Sequence, residues 1–91
     1  MPTLLVDHDV ADYAAWRAVY DSADDARTQN GVISHRVYQD AANPNHVVVE
    51  HKFADAAAAD AFLRNAELRE ALGRAGVVAE SVRAVVVNDV S

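Results

Sequence analysis

Two strand-like runs decide the fold of this chain: Val32-Ile33-Ser34-His35-Arg36-Val37-Tyr38-Gln39 and His46-Val47-Val48-Val49-Glu50-His51-Lys52-Phe53. Both are rich in the β-branched and aromatic residues that favour strands. The loop between them, Ala41-Ala42-Asn43-Pro44-Asn45, is typical of a turn, since proline fixes one backbone dihedral and asparagine tolerates the left-handed region. The stretch from Val32 to Phe53 therefore predicts a β-hairpin.

The register of this hairpin follows from how its residues match across it. One face carries the pairs Gln39 and Val47, Val37 and Val49, His35 and His51, and Ile33 and Phe53. The other face sets Arg36 opposite Glu50 and Ser34 opposite Lys52. Apart from Gln39 at the loop, the first face is apolar except for two histidines, and a slip of one residue would destroy the charge match on the second. Because both patterns agree, we predict this register and interpret Arg36 and Glu50 as a cross-strand ion pair.

Length and composition restrict the classes of protein. Ninety-one residues make one domain, spanning 1–91, that buries only about two-thirds of its unfolded surface. The absence of cysteine excludes disulfides and thiolate metal sites. A net charge of -6 without a basic block argues against nucleic acid or an anionic membrane as a partner. With no leader and no membrane-spanning run in the sequence, we expect a soluble cytoplasmic protein.

The remaining segments read as two strands and two helical regions. A first strand is predicted from Thr3 to His8, and the last strand over residues 80–90. Asp12 is the predicted N-cap of a first helix, and Asn30-Gly31 its end. The predicted apolar stripe of that helix consists of Tyr13, Trp16, Tyr20, Ala23 and Arg27, with Arg27 as a snorkelling helix end. Asp55 and Asn65 cap two further helical segments, the second of which Gly73 stops.

The predicted order βαββαβ defines an α+β, ferredoxin-like fold. Antiparallel closure places strands 1 and 3 in the middle of the sheet and the helices on one face. Yet valines occupy both faces of the third and fourth strands, because successive side chains of a strand point to opposite faces and the runs Val47-Val48-Val49 and Val85-Val86-Val87 are unbroken. An apolar sheet face without helices predicts a partner, most simply a homodimer that packs sheet on sheet.

Several motifs resemble one family. They are Asp7-His8-Asp9-Val10-Ala11-Asp12-Tyr13-Ala14-Ala15-Trp16, His35-Arg36-Val37-Tyr38, Asn43-Pro44-Asn45-His46-Val47-Val48-Val49, Ala61-Phe62-Leu63 and Glu67-Leu68-Arg69-Glu70-Ala71 before Ala75-Gly76-Val77. Over about residues 4 to 90 the chain is similar to the dimeric α+β barrel proteins related to antibiotic biosynthesis monooxygenases and to some cyclases. The resemblance implies a dimeric barrel with a ligand pocket between helices and sheet in each protomer. It says little about activity, because one such scaffold hosts unrelated chemistries.

Three histidines are the candidate catalytic residues. His51 and His35 lie cross-strand on an apolar face, where one neutral imidazole could act as a base. Their alternative interpretation is a hydrogen-bonded structural pair, and no third ligand favours a metal. His8, at the end of the first strand, resembles a histidine that some cyclases of the superfamily use; its alternative is a strand-end residue facing solvent. His46 is interpreted as a surface residue.

The aromatic residues are the candidate substrate-binding residues. Tyr13, Trp16 and Tyr20 form a helical stripe of the kind that usually belongs to a core. With Phe53 and Phe62 the same stripe could wall a flat apolar pocket for an aromatic ligand.

Three functions remain open from the sequence. The first is an enzyme without cofactor or metal, a cyclase, isomerase or monooxygenase acting on an aromatic or polyketide-like small molecule. The second is a small-molecule binding protein without turnover. The third is a dimeric scaffold with no ligand.

Overall fold

The computed structural model describes all residues from Met1 to Ser91. Four strands are present: β1 (Pro2–Asp9), β2 (Ser34–Gln39), β3 (His46–Lys52) and β4 (Arg83–Asn88). Four helices accompany them: α1 (Tyr13–Ser22), α2 (Asp24–Gln29), α3 (Ala56–Leu63) and α4 (Ala66–Arg74). A single turn of 3₁₀-helix, Ala79–Ser81, precedes β4, so the last strand is shorter than the predicted 80–90.

The strands form one antiparallel sheet in the order β2-β3-β1-β4, which confirms the predicted ferredoxin-like topology. The predicted hairpin register is also correct from Ser34, opposite Lys52, to Gln39, opposite Val47. The predicted pair of Ile33 and Phe53 does not form, because β2 begins at Ser34 and β3 ends at Lys52. The two residues also differ in environment, since Ile33 is 56% exposed and Phe53 is fully buried.

Side-chain caps start the helices where the sequence predicts them. Asp12, Asp55 and Asn65 accept hydrogen bonds from the backbone N–H three residues later, the usual N-cap arrangement. The first helical region breaks at Ala23 into α1 and α2, and α2 then ends at Gln29, beside the predicted stop Asn30-Gly31. The predicted stop at Gly73 is wrong as well, since α4 continues to Arg74 and Gly76 takes the left-handed conformation, with φ of 80°.

The hairpin loop uses its asparagines differently from the prediction. No residue other than glycine has a positive φ, so Asn45 does not adopt the left-handed region. Its side-chain oxygen instead accepts the N–H of Tyr13 at 3.0 Å, and its carbonyl accepts the N–H of Val10 at 2.8 Å. The loop therefore holds the start of α1 against the end of β1.

Two groups of buried side chains join the inner face of the sheet to the helices. Val47 and Val49 of β3 pack with Trp16 of α1, and Leu4 of β1 packs with Phe53 and with Ala59 of α3. Residues of alternating position on β1 and β3 share this inner face, namely Leu4, Val6, His8, Val47, Val49 and His51.

The outer face of the sheet carries a mixed surface. Its apolar side chains are Leu5, Tyr38, Val48, Val85 and Val87, all of them exposed or half-buried. Arg36 lies opposite Glu50 on this face, but their charged atoms are not within ion-pair distance, so the predicted ion pair is wrong. Glu50 instead accepts a hydrogen bond from the Tyr38 hydroxyl at 3.1 Å.

The four helices are all too short to form a membrane-spanning apolar segment.

Candidate functional site

A cavity of about 540 Å³ lies between the inner face of the sheet and the helices. Its floor comes from β1 and β3, through Leu4, Val6, His8, Val49 and His51. Its walls come from α1, α2 and α4, with Phe62 of α3, Ala84 of β4 and Val82 just before β4. Seventeen of its 22 lining residues are hydrophobic, and its size is within the range of small-molecule sites.

The cavity brings together five of the eight residues singled out from the sequence: His8, Trp16, Tyr20, His51 and Phe62. The other three, Tyr13, His35 and Phe53, do not line it. Tyr13 packs against the edge of the Val10 and Trp16 cluster, and Phe53 fills the core beside Leu4. His35 lies on the edge strand β2 with its side chain 31% exposed.

His51 is a buried imidazole without a stabilising partner. It is 5% exposed, its Nδ1 has no hydrogen-bond partner, and its ring lies 5.1 Å from the Phe62 ring. Burial, the positive charge of Arg27 and the neighbouring His35 lower the pKa of His51 to about 4. At neutral pH the ring is therefore uncharged and its unprotonated nitrogen can accept a proton or a hydrogen bond.

His8 lies on the same cavity floor as His51, on the neighbouring strand β1. It is 1% exposed and meets Trp16 edge-on, with ring centroids 5.8 Å apart, so it does not face solvent as one interpretation of the sequence held. Its Nδ1 is buried without a partner, and burial lowers the pKa of His8 as well. Two unpartnered imidazole nitrogens in one apolar floor carry a desolvation cost of about 1–3 kcal/mol each.

His35 is connected to the cavity through Tyr20. The Tyr20 hydroxyl lies 2.7 Å from His35 Nδ1, and His35 Nε2 lies 3.2 Å from the Asp24 carboxylate. If Nε2–H donates to the carboxylate, Nδ1 is left to accept the phenol proton. The Tyr20 ring also stacks on Trp16 at 4.9 Å, so the chain leads from the cavity wall to an exposed carboxylate.

Arg27 belongs to the cavity wall, which sequence reasoning missed. It is 4% exposed rather than snorkelling, and its guanidinium carbon lies 3.7 Å from the centre of the Tyr20 ring. Burial raises the pKa of Tyr20, and the charges of Arg27 and Arg17 oppose that rise. The signal was present in the sequence, because Arg27 follows Tyr20 by seven residues on the buried stripe.

His46 is more than a surface residue. Its Nδ1 lies 2.7 Å from Asp9 and its Nε2 lies 3.5 Å from Asp7, at the end of β1 opposite the cavity floor.

The chain contains no group of three or more histidine, aspartate or glutamate side chains arranged to hold a metal ion.

Fold and site together define an α+β protein with a four-stranded antiparallel sheet and an apolar cavity under its helices. Residues 9–74 match the model of the antibiotic biosynthesis monooxygenase family, and the chain belongs to that family. No curated protein matches the sequence significantly.

Several solved structures share this fold. A candidate antibiotic biosynthesis monooxygenase from Bordetella bronchiseptica superimposes with a TM-score of 0.83 at 11% identity, over 99% of this chain and 97% of its own. SnoaB, a cofactor-independent oxygenase from Streptomyces nogalater, gives 0.80 at 12% identity, over 99% and 93%. A candidate monooxygenase from Deinococcus radiodurans gives 0.76 at 15% identity, over 100% and 94%. At these identities the likeness establishes the fold alone.

Proposed function

We propose that this protein is a cofactor-independent enzyme that binds a flat aromatic or polyketide-like small molecule in the cavity and begins its reaction by removing a proton. The observation that carries the proposal is a 540 Å³ apolar cavity whose floor holds two buried imidazoles without hydrogen-bond partners at Nδ1. Family membership and the cofactor-independent oxygenase SnoaB, which shares the fold, agree with it.

The cavity suits a planar ring system. Trp16, Tyr20 and Phe62 supply aromatic surface on its walls, and the aliphatic side chains of β1 and β3 supply its floor. A scaffold without a ligand would fill this space with its aromatic side chains. The volume left open favours a molecule of two or three fused rings over a purely structural role.

His51 is the proposed base. Its neutral ring can accept a proton from an acidic C–H or O–H of the ligand. Although burial makes the free imidazole a weak base, the enolate formed beside it would raise the pKa of His51 during the reaction, because opposite charges stabilise each other at short range. His8, in the tautomer protonated at its unpartnered Nδ1, is the group available to donate a hydrogen bond to the enolate oxygen.

In the oxygenase version of the reaction the ligand supplies the electrons. The enolate formed at a CH₂ group reduces and then bonds dioxygen, giving a peroxide that regains the proton from His51. Loss of water converts that carbon to C=O, so CH₂ and O₂ become C=O and H₂O. A cyclase or isomerase would use the same deprotonation and return the proton at another carbon.

The test uses anthrone, a tricyclic carbon acid that this reaction would convert to anthraquinone with one O₂ consumed. Oxygen uptake and quinone absorbance would be measured for the wild type, for His51→Gln and for the uncatalysed solution. We expect the wild type to exceed the uncatalysed rate and His51→Gln to lose about 10²-fold or more of that excess, the size of a general-base contribution.

His46→Gln is the matched control, because this histidine lies outside the cavity; it should keep the wild-type rate. Equal rates in wild type and His51→Gln across anthrone and a panel of related carbon acids would remove His51 from the mechanism.

A binding protein without turnover is the second candidate. It is favoured by one observation: neither His51 nor His8 is oriented at Nδ1 by a hydrogen bond, whereas catalytic bases are usually held by a third group. Native mass spectrometry of protein purified from its source cells would identify a retained molecule. If that molecule is unchanged after incubation in air, the binding function is supported over the enzyme.

We also propose a homodimer formed through the outer face of the sheet. The support is the set of five apolar side chains there, among them Val85 at 53% and Tyr38 at 47% exposure. Sedimentation should give a dimer at micromolar concentration. A Val85→Glu variant should shift the protein to a monomer, and a monomeric wild type would contradict the proposal.

A further inference from the structure

The charges around the cavity differ in sign from those of the whole protein. The chain has 14 acidic residues against eight lysines and arginines. None of the acidic residues lines the cavity, while Arg27 and Arg69 both do. Ions are rarely placed beside apolar surface unless they meet a counter-charge, so two cations in this wall require an explanation.

Arg27 is the better placed of the two. Its Nη1 donates to the Tyr20 carbonyl at 2.7 Å, and its Nη2 lies 3.4 Å from the Asp24 carboxylate. A guanidinium has five N–H donors, so three of them have no protein partner, including the buried Nε. Arg69 is exposed and donates to the Leu63 carbonyl through Nε and Nη2.

Asp24 does not neutralise the cavity. Its side chain is 63% exposed, it does not line the cavity, and the same oxygen that meets Arg27 is shared with His35 Nε2. The Arg27 charge is therefore countered from the solvent side only. Inside the cavity the histidines cannot offset it either, because an imidazole is neutral or positively charged and never negative.

We propose that the ligand of this cavity is a planar organic acid, a fused aromatic molecule whose anionic group is bound by Arg27, with Arg69 adding positive charge to the same chamber. The inference rests on the proposed function for the existence of a ligand and adds its chemical class. A carboxylate or other oxyanion would satisfy the free donors of Arg27 with charge-assisted hydrogen bonds. The ring system of the ligand would then lie against Trp16, within reach of His51.

The experiment compares two probes of one shape. 2-Naphthoate carries a carboxylate where 2-acetylnaphthalene carries a neutral acetyl group on the same ring. Isothermal titration calorimetry at one fixed low ionic strength would give the Kd of each for the wild type. We expect 2-naphthoate to bind at least about tenfold more tightly, the usual gain of a charge-assisted pair over a neutral one.

Variants then assign the preference to Arg27. Arg27→Met should remove the tenfold preference while leaving the Kd of 2-acetylnaphthalene within about twofold, and Arg27→Lys should keep part of it. Arg64→Met, at an exposed arginine outside the cavity, is the control and should change neither Kd. If Arg27→Met does not fold, the two Kd values of the wild type and those of Arg69→Met still test the proposal. Arg69→Met should weaken the binding of 2-naphthoate and leave that of 2-acetylnaphthalene unchanged.

The outcomes separate the two proposals. Equal affinity for both probes in the wild type would overturn the organic-acid inference and leave the proposed ligand cavity standing. A preference for 2-naphthoate that survives Arg27→Met and Arg69→Met would overturn it also. Binding of neither probe would overturn the proposed function, and this inference with it.

Discussion

The central strand β3 and the edge strand β2 come from the same hairpin, yet they have opposite environments. His51 and His35 are directly opposite each other, but His51 is 5% exposed and unpartnered while His35 is partly exposed and bonded to Tyr20 and Asp24. The order β2-β3-β1-β4 explains the difference, because β3 has neighbours on both sides and β2 has one. Two residues that the sequence pattern places on one face of the sheet are therefore equally buried only when both lie on central strands.

The strongest test of this contrast compares Phe53→Ala with Ile33→Ala, two positions that the sequence pairs. Phe53 is fully buried beside Leu4, so its truncation should cost about 3–5 kcal/mol of unfolding free energy. Ile33 is 56% exposed, and its truncation should cost less than about 1 kcal/mol. Urea unfolding at one protein concentration measures both; equal losses would mean that the edge is covered in solution.

The pH dependence of stability tests the burial of His51. Its pKa is about 4 in the folded protein and 6.5 in the unfolded chain, so the unfolded state binds the proton first as pH falls. His51 should therefore cost no stability above pH 7 and an increasing amount as pH falls from 6.5 toward 4. Between pH 7.5 and pH 5, the wild type should lose about 2 kcal/mol more than His51→Leu.

Phe53→Leu is the control for that measurement, because it alters the same core without removing a titrating group. It should keep the pH dependence of the wild type. Parallel curves for wild type and His51→Leu would mean that His51 is solvated in the folded protein.

The link from the edge strand to helix α1 gives a smaller effect. Tyr20→Phe removes the 2.7 Å contact with His35 Nδ1 and should cost about 1 kcal/mol, the typical value for one hydrogen bond. Tyr38→Phe removes a 3.1 Å bond to Glu50 on the exposed outer face and should cost less. Both values come from urea unfolding, and a larger loss for Tyr38→Phe would indicate that the outer face is buried in the assembly.

The smallest effect on the unfolding free energy is expected at Arg36, which lies opposite Glu50 in the sheet but forms no ion pair with it. Arg36→Ala should change the unfolding free energy by less than about 0.5 kcal/mol and without dependence on salt. Arg17→Ala, which removes a 2.9 Å pair with Asp21, should show a small loss that weakens as salt is added. A salt-dependent loss at Arg36 would show that the cross-strand pair forms in solution.

Much of the fold was open to sequence reasoning because its signals are local. The caps Asp12, Asp55 and Asn65 act on backbone groups three residues away, so the residue type alone predicts them. The hairpin register was predictable because apolar and charged patterns agreed. The helix break at Ala23 and the continuation of α4 past Gly73 were not, because tertiary contacts override weak local preferences.

The candidate site was predictable only in part. The alternating pattern of the strands placed His8 and His51 on one face, and the helical stripe placed Trp16 and Tyr20 opposite them across the cavity. It could not separate His51 from His35, and it assigned Arg27 to solvent by the usual behaviour of its residue type. Which side chain lines a cavity depends on the space that the helices leave above the sheet.

The sequence by itself determined the order of elements, the caps, the strand pairing and the family, because these depend on neighbouring residues and on patterns of period two and about four. Only the tertiary structure decided that His35 lies outside the cavity, that Arg27 is enclosed, and that a cavity remains under the helices. Burial depends on how segments far apart in the chain pack against each other. It keeps His51 neutral, and it encloses the positive charge of Arg27 in the cavity wall.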